Sequence, residues 1–166
     1  MSVARVYVGI GSNIERERHI RAAVAGLRER FGELDLSRVY QSRAVGFDGD
    51  DFYNMVAGFE ARDDVHQVAV ALQQIEDANG RRRDGPRFSS RTLDIDLLLY
   101  DDLIINDGQL QLPRDEILQN SFVLLPLAEI APRRIHPVTG KALAEHARAM
   151  LSGDALVPVE IDLSSA

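Results

Sequence analysis

The distribution of apolar and polar residues in four stretches of the chain is typical of β-strands, with clear alternation in the first. Three of these stretches are residues 3–10, 34–42 and 54–60, in which successive side chains would point to opposite faces of a sheet. The fourth, residues 91–99, alternates at first and ends in three consecutive leucines. The pattern predicts four strands, the last of them with an apolar, buried end.

Two segments between these strands carry apolar residues at the spacing of an amphipathic helix. The first has an apolar stripe over residues 20–31 and ends at Gly32, a residue that suits helix C-termini. The second begins after Asp63 or Asp64, either of which can cap it, and stops at residues 79–80. The helices therefore separate the first strand from the second and the third strand from the fourth.

The connecting and C-terminal segments give weaker signals. Residues 9–13, with the sequence Gly-Ile-Gly-Ser-Asn, predict a structural turn whose serine or asparagine caps the first helix. Ser121 is placed to cap a further helix, and residues 142–150 predict a last one. We expect residues 152–166 to form a loosely ordered tail.

The order of these elements, β-α-β-β-α-β, predicts the α+β class and a ferredoxin-like antiparallel sheet with helices packed on one face. A chain of 166 residues, 45% apolar and 27% charged, suits one globular domain over residues 1–166. The absence of cysteine excludes disulfides and thiolate metal sites. The sequence has neither a signal-peptide pattern nor an apolar run of membrane-spanning length, so we expect a cytoplasmic protein without a membrane partner.

Two carboxylates, Asp94 and Asp96, interrupt the fourth strand at positions i and i+2. This spacing puts them on one face, roughly 6.5–7 Å apart along the backbone. Paired carboxylates that lose solvation repel each other unless cations lie between them. Mg²⁺ suits such a pair when substrate phosphates supply further ligands. The alternative is the solvated face of an edge strand, since an isolated Asp-x-Asp is short and common.

An arginine-rich segment, residues 80–91, leads into this strand. Its five arginines and one aspartate carry a charge of +4, and because the whole chain carries −7, the remainder carries −11. Guanidinium groups clamp phosphate oxygens with paired hydrogen bonds, so this layout favours a metal–polyphosphate site. The alternative is a solvated basic loop. A nucleic-acid contact is disfavoured because the acidic remainder repels a phosphate backbone.

A loop rich in glycine and aromatic residues, residues 43–53, separates the second and third strands. It is too long for a tight hairpin, and long loops in compact domains are often functional. A flat heteroaromatic substrate needs a ring to stack on and an amide to read its edge, which Phe52 and Asn54 can supply. The alternative is that Phe52 or Tyr53 only fills the core.

Three motifs occur in order along the chain. They are Gly9-Ile10-Gly11-Ser12-Asn13, then Glu76 with Gly80-Arg81-x-Arg83 and Arg91-Thr92-Leu93-Asp94-x-Asp96, and finally Phe122-Val123-Leu124-x-Pro126-Leu127-x-Glu129-Ile130-Ala131-Pro132. Together they resemble the motifs of the 6-hydroxymethyl-7,8-dihydropterin pyrophosphokinases, a family of folate biosynthesis, and the likeness covers about residues 5–145. The resemblance implies a ferredoxin-like fold. It also implies magnesium-dependent transfer of the β,γ-diphosphoryl group of ATP to the hydroxymethyl oxygen of the reduced pterin, with release of AMP.

The same resemblance implies the residues of the site. Two Mg²⁺ ions would lie between Asp94 and Asp96, and Arg81 and Arg91 would complete the catalytic set. We expect a monomer that acts on small molecules and binds no nucleic acid. The pterin would be held by Ser42, Val45, Phe52, Asn54 and Phe122, and the nucleotide by Gln73, Glu76, Arg83, Arg87, Phe88, Leu97 and Arg114.

The sequence departs from the family pattern at two positions near the expected phosphates. Arg114 stands where the family has a histidine, and Asn120 where it usually has an arginine. We interpret Arg114 as the source of the phosphate-binding charge that Asn120 cannot supply. Two alternatives stay open. One is a catalytically weakened paralogue that binds pterin or nucleotide, and the other is a two-metal phosphodiesterase or nuclease, which calls for a third acidic ligand and a basic face.

Overall fold

Eight strands and five helices form in the residues that the computed structural model describes, namely 2–42, 51–80, 93–150, 156–164 and 166. None of these helices is long and apolar enough to span a bilayer. In chain order the elements are β1 (Ala4–Ser12), α1 (Arg16–Phe31), β2 (Asp35–Leu36), β3 (Val39–Ser42), β4 (Phe52–Ala61), α2 (Val65–Ala78), β5 (Asp94–Tyr100), β6 (Ile105–Asn106), β7 (Gln111–Leu112), α3 (Glu116–Gln119), α4 (Ser121–Ile130), α5 (Leu143–Met150) and β8 (Val157–Val159).

The main sheet is antiparallel and has the strand order β5-β1-β4-β3-β8, with β2 also paired to β4. The central pair, β1 and β4, stays in register from Ala4 opposite Ala61 to Ser12 opposite Tyr53. Strand β5 closes one edge, because it pairs only with β1 among the described strands. This is the ferredoxin-like arrangement predicted from the order of elements.

The helices α1 and α2 pack on one face of the sheet, as predicted. Helix α2 begins with a capping box, in which the Asp64 carboxylate accepts the Gln67 N–H while the Gln67 side chain accepts the Asp64 N–H. Helix α1 ends at Gly32, whose φ of 88° lies in the left-handed region that glycine tolerates. The core between helices and sheet includes Ile20, Val24, Leu27, Val68, Leu72, Val6, Val8, Phe59, Ile95 and Leu97.

A second apolar cluster lies on the opposite face of the sheet, where α3, α4 and α5 pack. It joins sheet residues such as Tyr7, Val56 and Leu98 to Leu124 and Leu127 of α4. Because α4 carries Phe122 in its first turn, this packing fixes the start of α4 over the sheet face.

Several predicted boundaries are wrong at the N-terminal half of the sheet. Residues 9–13 do not form a turn, because β1 continues to Ser12 and pairs on both sides, with β4 and with β5. Neither Ser12 nor Asn13 caps α1, since the N-cap position is held by Glu15 without a side-chain hydrogen bond. The strand expected over residues 34–42 is split into β2 and β3.

The C-terminal half shows two further differences. Ser121 is the first residue of α4, and Asn120 occupies the N-cap position. The expected loose tail does not hold for residues 156–164, because β8 extends the sheet beside β3. The Arg28 guanidinium also donates to the carbonyl oxygens of Leu163 and Ala166 at 2.7 and 2.8 Å.

Candidate active site

The two carboxylates of β5 lie on one face of the sheet, as predicted. Their partners on β1 are both glycines, Gly11 opposite Asp94 and Gly9 opposite Asp96. Directly paired residues of an antiparallel sheet point to the same side. The carboxylates therefore face a stretch of β1 that bears no side chains.

A β-bulge follows the carboxylates on β5. Val8 pairs with Leu97 and Tyr7 with Leu99, so Leu98 is an extra residue in the ladder. The Leu98 side chain turns over Gly9, where its methyl carbons lie 3.6 Å from the place of a β-carbon. The bulge thus separates the polar end of this sheet face from its apolar end.

Polar and aromatic side chains predicted to hold the pterin continue the same face on the other side of β1. Asn54 of β4 pairs with Gly11, and its side-chain amide donates to the Ser42 hydroxyl at 2.6 Å. Phe52, two positions before Asn54, points to the same face and pairs with Ser42. Phe122 is half-buried in α4, whereas Val45 falls outside the described residues.

A cavity of about 220 Å³ opens beside the carboxylates at the edge of β5. Helix α2, strand β5 and the segment after β7 each contribute residues that were assigned to the nucleotide or metal site. The members of that set are Gln73, Glu76, Asp94, Asp96, Leu97 and Arg114. Sequence reasoning missed the other wall of the cavity, which residues 109–112 form.

Glu76 is the buried acid of this cavity, with a relative exposure of 5%. Its Oε2 accepts the backbone N–H of Ile95 at 2.8 Å. Because β5 is an edge strand, this N–H points away from the ladder and needs a partner from outside the sheet. Glu76 therefore ties α2 to the carboxylate-bearing strand.

Arg114 links the carboxylate pair to the segment that enters α3. Its Nη2 lies 3.6 Å from Asp96 Oδ1, its Nε donates to Glu116, and its backbone N–H donates to the Leu98 carbonyl. Burial opposes the charge on this guanidinium, but the carboxylates of Asp96, Glu116 and Asp94 outweigh burial and raise the pKa of Arg114. A cation is thus held next to the predicted metal ligands.

Asp107 fixes the turn between β6 and β7, next to residues 109–112, which line the cavity. Its Oδ1 accepts the N–H groups of Leu110 and Gln109 at 2.9 and 3.0 Å, and its Oδ2 lies 2.9 Å from His66 Nε2 on α2. The Leu110 N–H, the His66 ring and the Gln109 N–H together lower the pKa of Asp107 to about 2. His66, for which the sequence suggested no specific role, thereby connects α2 to this turn.

Comparison with known proteins identifies the family of this chain. The family model described as 7,8-dihydro-6-hydroxymethylpterin-pyrophosphokinase (HPPK) matches residues 7–132. The chain belongs to this pyrophosphokinase family. Of the residues that the resemblance assigns to the site, those that the structure describes lie on one sheet face, on α4 and around the adjoining cavity. The others fall outside the described residues, and they are Val45, Arg81, Arg83, Arg87, Phe88 and Arg91.

Individual relatives support the assignment of the chain to this family. The chain is 33% identical over 145 residues to the 2-amino-4-hydroxy-6-hydroxymethyldihydropteridine pyrophosphokinase of Aquifex aeolicus, covering 86% of this chain and 90% of that protein. It is 37% identical over 134 residues to the Pseudomonas aeruginosa protein of the same name, covering 78% and 82%. These relatives are named as pyrophosphokinases, and the HPPK chain described here is an enzyme of that class.

A solved structure supports the fold. The Plasmodium falciparum HPPK-DHPS crystal structure with pteroate superposes with a TM-score of 0.72 at 13% identity, over 91% of this chain and 43% of that one. At this identity the likeness shows the ferredoxin-like fold of HPPK alone.

Proposed function

We propose that the enzyme transfers the β,γ-diphosphoryl group of ATP to the hydroxymethyl oxygen of 6-hydroxymethyl-7,8-dihydropterin. The hydroxymethyl oxygen attacks the β-phosphorus, the bond from that phosphorus to the oxygen bridging it to the α-phosphorus breaks, and AMP leaves with that oxygen. The hydroxyl proton passes to solvent. The observation that carries this proposal is the row Asp94–Gly11–Asn54 across three neighbouring strands.

This row supports the proposal because it would bring the phosphates and the ring of the two substrates next to each other. Neighbouring strands are about 4.8 Å apart, so the backbones of Asp94 and Asn54 lie about 10 Å from each other across Gly11. A heteroaromatic ring held at Asn54 would extend its hydroxymethyl arm over β1 towards the carboxylates. Holding the two reactants in this way lowers the entropic part of the barrier.

The carboxylates fit Mg²⁺ by the chemistry of their donor atoms. Asp94 and Asp96 offer hard oxygen ligands on one face, beside a cavity large enough for phosphate groups. Two Mg²⁺ ions bound there would neutralise the triphosphate and polarise the attacking oxygen.

The other assigned residues bind and orient the substrates. Ser42 and Asn54 would read the edge of the pterin, with Val45 contributing through its backbone, while the rings of Phe52 and Phe122 stack on its faces. Arg114 would add positive charge next to the phosphates. The nucleotide would contact Gln73, Glu76 and Leu97, and the phosphates and their cover would come from Arg81, Arg83, Arg87, Arg91 and Phe88.

Product analysis tests this function. The enzyme is incubated with ATP, MgCl₂ and 6-hydroxymethyl-7,8-dihydropterin, and nucleotides are separated by ion-exchange chromatography. We expect AMP in equal amount to the pterin diphosphate, and no AMP when the pterin is omitted. Release of ADP would contradict diphosphoryl transfer. Binding of both substrates without AMP would instead identify a weakened paralogue.

A further inference from the structure

Gly11 lies in a strand interior, where glycine by itself lowers the stability of the fold. It lies inside β1, paired with Asp94 on one side and Asn54 on the other, and its φ is outside the left-handed region. A glycine in a strand interior loses stability relative to a residue with a side chain, and often marks a place where another group approaches closely. The structure shows which group approaches Gly11.

The amide oxygen of Asn54 lies over Gly11. A β-carbon built on Gly11 would be 3.1 Å from Asn54 Oδ1, whereas its next neighbours, Phe52 Cδ1 and the Tyr53 carbonyl oxygen, are both 3.8 Å away. A contact of 3.1 Å is closer than ordinary van der Waals packing, so the amide would have to move by a few tenths of an ångström. Any side chain at position 11 would therefore displace this oxygen.

The orientation of the Asn54 amide is set from the opposite side. Its Nδ2 donates to the Ser42 hydroxyl on β3 at 2.6 Å, which turns Oδ1 towards β1. Asn54 is only 8% exposed, and within the described ranges no hydrogen bond to Oδ1 is found. A buried acceptor without a donor costs free energy, so a donor from a bound ligand would be favoured here.

We propose that Gly11 is a positioning residue that sets the specificity of the substrate slot through Asn54. Because Gly11 has no side chain, the Asn54 oxygen rests over β1 as an acceptor for an N–H group on the edge of the heteroaromatic substrate. The identity of that substrate as the pterin rests on the function proposed above. The contact between Gly11 and Asn54 does not depend on it.

Gly9 provides a matched control on the same strand. The three atoms nearest to a β-carbon at Gly9 would all belong to the Leu98 side chain, the nearest at 3.6 Å, which is ordinary packing distance. Gly9→Ala therefore adds the same methyl group two positions away without touching Asn54.

Binding of the pterin is measured by titration calorimetry in the presence of Mg²⁺ and a non-hydrolysable ATP analogue. We expect Gly11→Ala to weaken pterin binding roughly three- to tenfold, the effect of one misplaced hydrogen bond. Affinity for the ATP analogue should stay unchanged, and Gly9→Ala should bind the pterin as the wild type does. In an Asn54→Ala background, Gly11→Ala should have no further effect on pterin affinity.

Stability gives a second measurement if Gly11→Ala folds poorly. The double variant Gly11→Ala/Asn54→Ala removes the amide that the new methyl group would press on, so it should melt at a higher temperature than Gly11→Ala alone. Unchanged pterin affinity in Gly11→Ala, or an equal loss in the Asn54→Ala background, would overturn the proposal.

A ligand-free measurement separates this proposal from the proposed function. The side-chain amide resonances of Asn54 in a ¹⁵N–¹H spectrum of the free enzyme should shift in Gly11→Ala and not in Gly9→Ala. Equal spectra in the two variants would refute the contact itself. A wild-type enzyme that fails to bind the pterin would refute the substrate, while the spectra would still decide the role of Gly11.

Discussion

Replacing Arg114 by alanine should raise the Michaelis constant for ATP about tenfold. The guanidinium stands 3.6 Å from Asp96 and is held by Glu116, so it is aimed at the place proposed for the phosphates. A charge-assisted hydrogen bond is worth about 1.5–3 kcal/mol. The Arg114 side chain is 38% exposed, which favours the lower end because water screens the charge. About 1.4 kcal/mol corresponds to the tenfold change.

The assay is the initial rate of AMP formation at saturating pterin and varied ATP. Arg114→Lys should recover little of the loss, because an ammonium group cannot fork onto two phosphate oxygens. Asn120→Arg in the Arg114→Ala background should restore part of the affinity, since it returns a guanidinium to this segment. Arg148→Ala is the matched control, an exposed arginine in the last turn of α5, and should match the wild type.

Equal kinetic constants for Arg114→Ala and Arg148→Ala would show that Arg114 does not bind the phosphates. Arg114 would then act only as an ion-pair partner of Asp96 and Glu116 at the protein surface, an interaction worth under about 1 kcal/mol. The hypothesis that it compensates for Asn120 would have to be dropped.

Three further predictions concern the pterin slot, the buried acid and the turn beside the cavity. Phe52→Ala and Phe122→Ala should each weaken pterin binding by roughly 1–3 kcal/mol in calorimetry, the scale of a lost stack; an equal loss for ATP would mark both rings as core residues. Glu76→Ala leaves a buried backbone N–H of β5 without its acceptor, and urea unfolding should show a stability loss of about 1–3 kcal/mol. Because the pKa of Asp107 is lowered to about 2, this carboxylate stabilises the fold above about pH 4, and the contribution is lost as the pH falls towards 2. Asp107→Asn should therefore show a shallower fall in melting temperature over that range than the wild type.

Local sequence signals predicted the helix ends that are determined by residues at those ends. Helix α2 begins at Asp64 because a capping box forms within four consecutive residues. Helix α1 ends at Gly32 because a left-handed residue is needed there. The spacing of Asp94 and Asp96 placed them on one face because side chains alternate along any strand.

Features set by distant parts of the chain could not be read from local patterns. Gly9 and Gly11 are typical of a turn by composition, but pairing with β4 and β5 holds them in a strand. Glu76 has the pattern of a surface residue, but it is buried against the edge of β5, where it accepts the Ile95 N–H. The cavity wall of residues 109–112 depends on a turn fixed by Asp107 and His66, which lie 41 positions apart.

The carboxylate pair of β5 is proposed to support diphosphoryl transfer, and replacing one carboxylate tests this role. The rate of AMP formation is followed by ³¹P NMR for the wild type, Asp96→Ala and the control Asp102→Ala, an exposed aspartate just after β5, at saturating Mg²⁺. We predict a loss of at least about a hundredfold for Asp96→Ala, since metal stabilisation contributes several kcal/mol. The control should retain full activity, and all three proteins should have similar melting temperatures. A near-normal rate in Asp96→Ala would contradict the two-metal site and the account built on it.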